Sequence, residues 1–186
     1  MKIYIVEAAE KVNWVMPVDE ADEITELLMS FDATSKEENW PRLEFFIFNP
    51  KVEVRNFYTI GNSGALVFDK MAYDKCRTFF EMAGEILPIY LEDGTELYLL
   101  NVMDCVNALD EKRTKFDLYN DGSRGRILEY AFHKNRYTES TIFKIPHTMC
   151  IFTITDERGE EDQFYHFYQN SGLTGLKFEL VYDDSK

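Results

Sequence analysis

The sequence is poor in the residues that would mark it as anything but an ordinary folded chain. It has three cysteines, five prolines and nine glycines in 186 residues. Few prolines and glycines among 45% apolar and 15% aromatic residues exclude disordered, collagenous and low-complexity classes. The cysteines, Cys76, Cys105 and Cys150, are odd in number and far apart, which excludes a disulfide framework and points to reduced thiols. No run approaches the ~20 apolar residues that span a bilayer. Met1–Glu7 has an apolar run of only four residues, Ile3–Val6, before an acid, too short for a secretory signal. Basic charge is also scarce: 20 Lys and Arg stand against 34 Asp and Glu, a net charge of −14. That balance excludes a general nucleic-acid binder and an anionic membrane surface as partners. The expectation is a cytoplasmic protein, and a chain of this length fits one domain over residues 1–186.

What is present reads mostly as strand. Ile3–Val6, Leu43–Phe48, Val52–Tyr58, Ala65–Phe68, Ile86–Leu91 and Leu97–Met103 are rich in β-branched and aromatic residues and bounded by turn formers. Arg126–His133, Thr141–Ile145, Met149–Thr155 and Leu176–Tyr182 continue the pattern. Asn49-Pro50 and Asp93-Gly94 suggest hairpins. Asp69 stands at an N-cap position before Ala72, Cys76, Phe79, Phe80 and Ala83 at helical spacing, and Gly84 supplies the stop. A second helix carries Phe164, Phe167 and Tyr168 and ends at Gly172, and a short helix is expected from Asp104 to about Glu111. The predicted fold is α+β, mostly antiparallel sheet with two main helices and one short helix. Residues 1–40 look less regular.

Charge is uneven along the chain. Asp19–Glu38 holds eight acids and one base; Lys112–Lys144 reverses this with eight bases and four acids; from Asp156 onward acids dominate again. Acidic stretches are ordinary solvated surface, or a face complementary to a basic partner.

No catalytic pattern emerges. His133, His147 and His166 are scattered, without Cys or carboxylates at ligand spacing, so no metal or cofactor is expected. Gly61-Asn-Ser63-Gly64 lacks the nucleophile-elbow spacing and reads as a turn. Cys150, three residues after His147, lies among apolar neighbours and reads as a structural thiol. Asp121–Arg126 is Gly-rich and basic but precedes a strand; it reads as a hairpin loop whose arginines pair with acids elsewhere. Thirty-four acids make any particular carboxylate pair uninformative.

Three segments carry a resemblance: Glu85-Ile-Leu-Pro-Ile89, Glu96-Leu-Tyr-Leu-Leu-Asn-Val102 and Cys105-Val-Asn-Ala-Leu-Asp110. With Ile127–Phe132, Ile142–Ile145 and Ser171-Gly-Leu-Thr-Gly-Leu-Lys-Phe178 in the same order, residues 43–182 resemble a family first catalogued as a domain of unknown function. That family was later grouped with immunity proteins of bacterial polymorphic toxin systems. Where the family places an acid and an aromatic pair before its C-terminal helix, this chain has the longer run Asp156–Asp162. The resemblance implies a non-enzymatic protein that binds and blocks a cognate protein toxin. Together with the acidity, it makes a basic toxin such as a nuclease the expected partner. The expected contacts are Asp19, Glu20, Asp22 and Glu23 in the first acidic stretch and Asp156, Glu157, Glu160, Glu161 and Asp162 in the last. Asn101, polar within an apolar strand, is expected to satisfy a backbone group rather than a partner. A regulatory or scaffold module binding another protein is the alternative; a hydrolase of unrecognised type is the third.

Overall fold

A computed structural model describes residues 1–19, 21–60 and 63–185. In chain order its strands and helices are β1 (Lys2–Ala8), β2 (Val15–Pro17), α1 (Asp22–Met29), β3 (Glu44–Ile47), β4 (Phe57–Tyr58), β5 (Leu66–Phe68), α2 (Lys70–Ala83), β6 (Gly84–Leu91), β7 (Glu96–Val102), β8 (Lys115–Leu118), β9 (Arg124–Glu129), β10 (Ile142–Phe143), β11 (Ile151–Thr155), α3 (Phe164–Ser171) and β12 (Leu176–Asp183). Glu37–Asn39 and Glu160–Asp162 form 3-10 turns. The fold is α+β, and its sheets are mostly antiparallel.

A six-stranded sheet runs β2-β3-β6-β7-β5-β4. Its spine is the hairpin β6–β7, paired from Gly84↔Val102 to Tyr90↔Glu96 around the Asp93-Gly94 turn. Its two outer strands then meet. Val15 N–H donates to Thr59 O at 2.9 Å and Thr59 N–H to Asn13 O at 3.0 Å, with Trp14 bridging Thr59 in parallel. This contact curls the sheet towards a closed barrel. Because side chains alternate across a strand, one set turns inward. Val15, Phe45, Tyr58, Val67, Leu87, Ile89, Leu97 and Leu99 form one core, which Leu28 of α1 and Phe31 close at one end. The other set, with Phe68, Tyr98, Leu100 and Val102, forms a second core under α2 and α3.

Helix α2 passes into β6 without a loop. Gly84 is needed there for space: a Cβ would lie 2.0 Å from Asn101 O. Asp69 caps α2 by accepting from Ala72 N–H at 2.8 Å, as its position predicts. Gly172 ends α3 with φ of 75°, a left-handed conformation that favours glycine.

The second sheet, order β10-β11-β1-β12, is antiparallel throughout. One face joins the core under α2 and α3 through Val6, Ile142 and Ile151. The opposite face carries Ile3, Ile5, Phe143, Phe152 and Ile154, covered by Val106, Leu109 and Phe132. The ribbon β8–β9 lies over this third core through Phe116 and Ile127.

Three expectations need correction. The third helix of the fold is α1, inside the stretch expected to be irregular, and it is not the segment from Asp104 to Glu111. That segment is extended because its backbone groups bond sideways: Val106 N–H to Lys144 O, Asp110 N–H to Ala131 O, and Ala108 O from His133 N–H, each at 2.8 Å. These bonds replace the i→i−4 ladder a helix requires. The Asn49-Pro50 hairpin does not form either. β3 already has β2 on one edge and β6 on the other, so no edge remains for residues 52–56. They form a loop held by Asn13, whose side-chain amide donates to Asn49 O and Val52 O.

Candidate functional site

The last acidic stretch is a rigid ledge. Arg158 folds back on Asp156, with Nε donating at 2.9 Å and Nη2 at 2.6 Å, and its Nη1 donates to Glu139 O at 2.7 Å. The Arg158 bonds outweigh burial and hold the Asp156 carboxyl below its ordinary range. Gln163, 2% exposed, accepts from Asp156 N–H and donates to Arg158 O, which locks the ledge to the start of α3. Asp156 is therefore part of the support. Glu157, Glu160, Glu161 and Asp162 are exposed, and no ion pair engages them among the described residues. Glu160 and Glu161 line a hollow of about 280 Å³ together with His166, Phe167 and Asn170. From sequence, Phe167 is expected to face the core and His166 reads as a scattered histidine; Asn170 is not singled out, and its i, i+4 spacing from His166 is the signal that the two share one helix face.

The first acidic stretch leads into α1. Asp19 accepts from Ala21 N–H at 2.9 Å, and Asp22 and Glu23 occupy the exposed first turn, where the helix dipole favours negative charge. Glu20 lies outside the described residues. α1 belongs to the barrel core and the ledge to α3, and no hydrogen bond or ion pair joins the two stretches among the described residues.

Behind α1 lies a buried polar group at the mouth of the barrel. Glu85 faces Asn101 across the hairpin and accepts from Asn101 Nδ2 at 2.8 Å, Lys36 N–H at 2.6 Å, Ser35 Oγ at 2.9 Å and Glu37 N–H at 3.3 Å. Asn101 also donates to Thr34 O at 2.8 Å, so it does satisfy a backbone group, and its Oδ1 has no partner among the described residues. Burial pushes the Glu85 carboxyl up, but the four donors outweigh it and hold it below its ordinary value. Lys144, 2% exposed, donates to Phe31 O at 2.5 Å, and burial pushes its ammonium down to about 8. These groups fasten residues 31–37, including Ala33 at φ of 67°, onto the barrel.

A cleft of about 610 Å³ opens where the two sheets meet, lined in part by Glu7, Tyr58, Met149 and Cys150. Burial pushes the Cys150 thiol up, and His147 is turned to Glu111 at 3.3 Å instead of to the thiol. The cleft thus has a thiol held in its protonated form, with no histidine turned to it among the described residues, which is not the Cys–His pairing of an activated nucleophile. Among the described residues, no three His, Cys, Asp or Glu side chains gather as a metal site would. No helix among them is long and apolar enough to cross a membrane.

A third concavity, about 740 Å³, collects Lys112, Arg113, Arg124, His133 and Arg136. The basic count in Lys112–Lys144 signals these residues in the sequence, but not that they share a groove. Arg124 pairs with Glu111 at 2.5 Å and Arg126 with Asp117 at 3.8 Å, as expected for the hairpin loop. No family model matches this chain, and no curated protein matches it in sequence.

Proposed function

We propose that this chain is a non-enzymatic immunity-type inhibitor, which binds a basic protein toxin and blocks it sterically. The observation that carries the reading is the ledge: four exposed carboxylates without ionic partners among the described residues, mounted on a locked turn beside a hollow partly lined by Phe167. Fixed acids around an apolar centre fit the anatomy of a protein interface, with a charged rim and an aromatic core. Their field raises the association rate of a basic partner and selects against acidic ones. Asp19, Asp22 and Glu23 extend the same sign of charge over a second part of the surface. The resemblance over residues 43–182 supports the assignment to immunity proteins of polymorphic toxin systems, which implies an activity in the cytoplasm of the producing cell.

The test is affinity capture from the native host at low and high salt, followed by growth rescue. The captured partner's effector domain is produced in cells with and without this chain. Protection by the wild type, weakened in the Glu160→Lys, Glu161→Lys, Asp162→Lys variant, is the expected result. A captured partner that is harmless to cells, or equal protection by the charge-reversed variant with an unchanged association rate and salt slope, would sink the reading of the ledge as the contact.

A further inference from the structure

The basic groove is the feature the proposed function does not use. The chain carries 34 acids, yet Lys112, Arg113, Arg124 and Arg136 line one concavity with only two carboxylates, Asp110 and Glu111. Among the described residues only Glu111 has a cationic partner; Asp110 keeps its charge, so the four cations outnumber the two carboxylates by two. Asp110 Oδ1 accepts from Lys112 N–H at 3.2 Å, and Glu111 is shared between Arg124 at 2.5 Å and His147 at 3.3 Å. Lys112 and Arg113 have no ion pair among the described residues. Clustered cations left without counter-charge repel one another, so an abundant supply of acids elsewhere makes the groove an exception on this surface.

Two of its guanidinium groups are held in place. Arg136 Nη1 donates to Asn107 O at 3.1 Å, and Arg124 lies 4.6 Å over the Phe116 ring while bonded to Glu111. Each bond uses one N–H of the five on that guanidinium, leaving further donors for a ligand. The floor is equally fixed: buried Leu109 bridges Phe132, and Asp110 O accepts from Arg113 N–H at 3.1 Å and Thr114 N–H at 2.9 Å. Pre-oriented guanidinium forks suit an anion with several oxygens, and a tetrahedral phosphoryl group offers more acceptor directions than a planar carboxylate.

We infer that this groove binds the phosphoryl group of a small phosphorylated molecule. Four cationic side chains lining one concavity match the charge of a diphosphate more closely than that of a single phosphate, so the ligand class is a diphosphate or a diphosphate ester. The site is separate from the acidic ledge and does not depend on the inhibitor reading.

Calorimetric titration of the full chain with inorganic pyrophosphate and with ADP, in low-salt buffer, tests it. Saturable binding of pyrophosphate is expected, with Arg113→Ala and Arg136→Ala each weakening it about tenfold, the effect of losing a charge-assisted hydrogen bond. Arg77→Ala should bind as the wild type does, since Arg77 is exposed on α2 and paired with Glu81. Citrate competing as well as pyrophosphate would overturn the phosphoryl assignment. So would an affinity unchanged in Arg113→Ala and Arg136→Ala, or lost equally in Arg77→Ala. Binding of single-stranded oligonucleotide without binding of either small probe would also overturn it. Concentration-dependent self-association abolished by the Glu160→Lys, Glu161→Lys, Asp162→Lys variant would show that a second copy's acids fill the groove instead.

Discussion

Glu85 and the Glu160–Asp162 turn are acids in opposite circumstances. Glu85 sits inside the barrel mouth with four donors around it, while the turn's carboxylates stand in solvent with no ionic partner among the described residues. The buried acid acts on the chain itself: it fixes residues 35–37, with Asn101 holding Thr34, and hence the approach of α1 to the barrel. The exposed acids act outward, since a charge in water perturbs the fold little but adds to the field an approaching protein meets. A sequence as acidic as this one therefore carries two kinds of acid that composition alone treats as one.

The comparison can be broken most directly at Glu85. Glu85→Ala leaves the amides of Lys36 and Glu37 and the amide of Asn101 without their acceptor, and should cost about 3 kcal/mol in urea unfolding. A loss below about 1 kcal/mol would mean the mouth is wet and the tether weak. The next effect is a pH dependence at Lys144. Its folded pKa, about 8, lies below its ordinary 10.5, so the unfolded chain binds the proton more tightly in that window. Stability from this group then rises with pH from 8 towards 10.5. Against Lys144→Met, the wild type should gain about 2 kcal/mol between pH 8 and 10, read from denaturation curves at each pH. Glu85 works with the opposite edge of the scale. Its folded pKa is depressed, so its contribution is present above the ordinary value of 4.5 and fades as pH falls through the folded value. The stability gap between the wild type and Glu85→Gln should accordingly narrow below about pH 4. The smallest effect belongs to the ledge: Glu160→Lys, Glu161→Lys, Asp162→Lys should keep the melting temperature within about 2 °C of the wild type. A larger fall would show that these acids hold the fold together as Glu85 does.

Local chemistry made part of this arrangement legible. Asp93-Gly94 between apolar runs marked β6–β7, Asp69 marked the start of α2, and Gly172 the end of α3. Helix α1 was hidden because Ile24, Leu27 and Leu28 are its apolar stripe amid a run of acids, and only packing against Phe31 and the barrel makes that stripe sufficient. The segment from Asp104 to Glu111 has helical-looking spacing, but Lys144 and Ala131 offer it partners no local rule anticipates. Neither the Trp14–Thr59 contact that curls the sheet nor the convergence of Arg113 with Arg136 has a short-range signature. The ledge was visible as charge; that Asp156 serves Arg158 while its neighbours stay free required the geometry.

The place of β1 in its sheet has a consequence in time. Strand β1, which precedes the other strands described, lies between β11 and β12, residues 151–183, and among the described residues no other strand pairs with it. During synthesis β6–β7 and α2 can pair and pack from their own neighbourhood. Lys2–Ala8, by contrast, must wait as an unpaired apolar strand until nearly the whole described chain has emerged. Closing so distant a contact is slow, and the waiting edge invites pairing with other chains. Translation rate and chaperone supply, rather than final stability, would then set how much of this protein reaches its folded state.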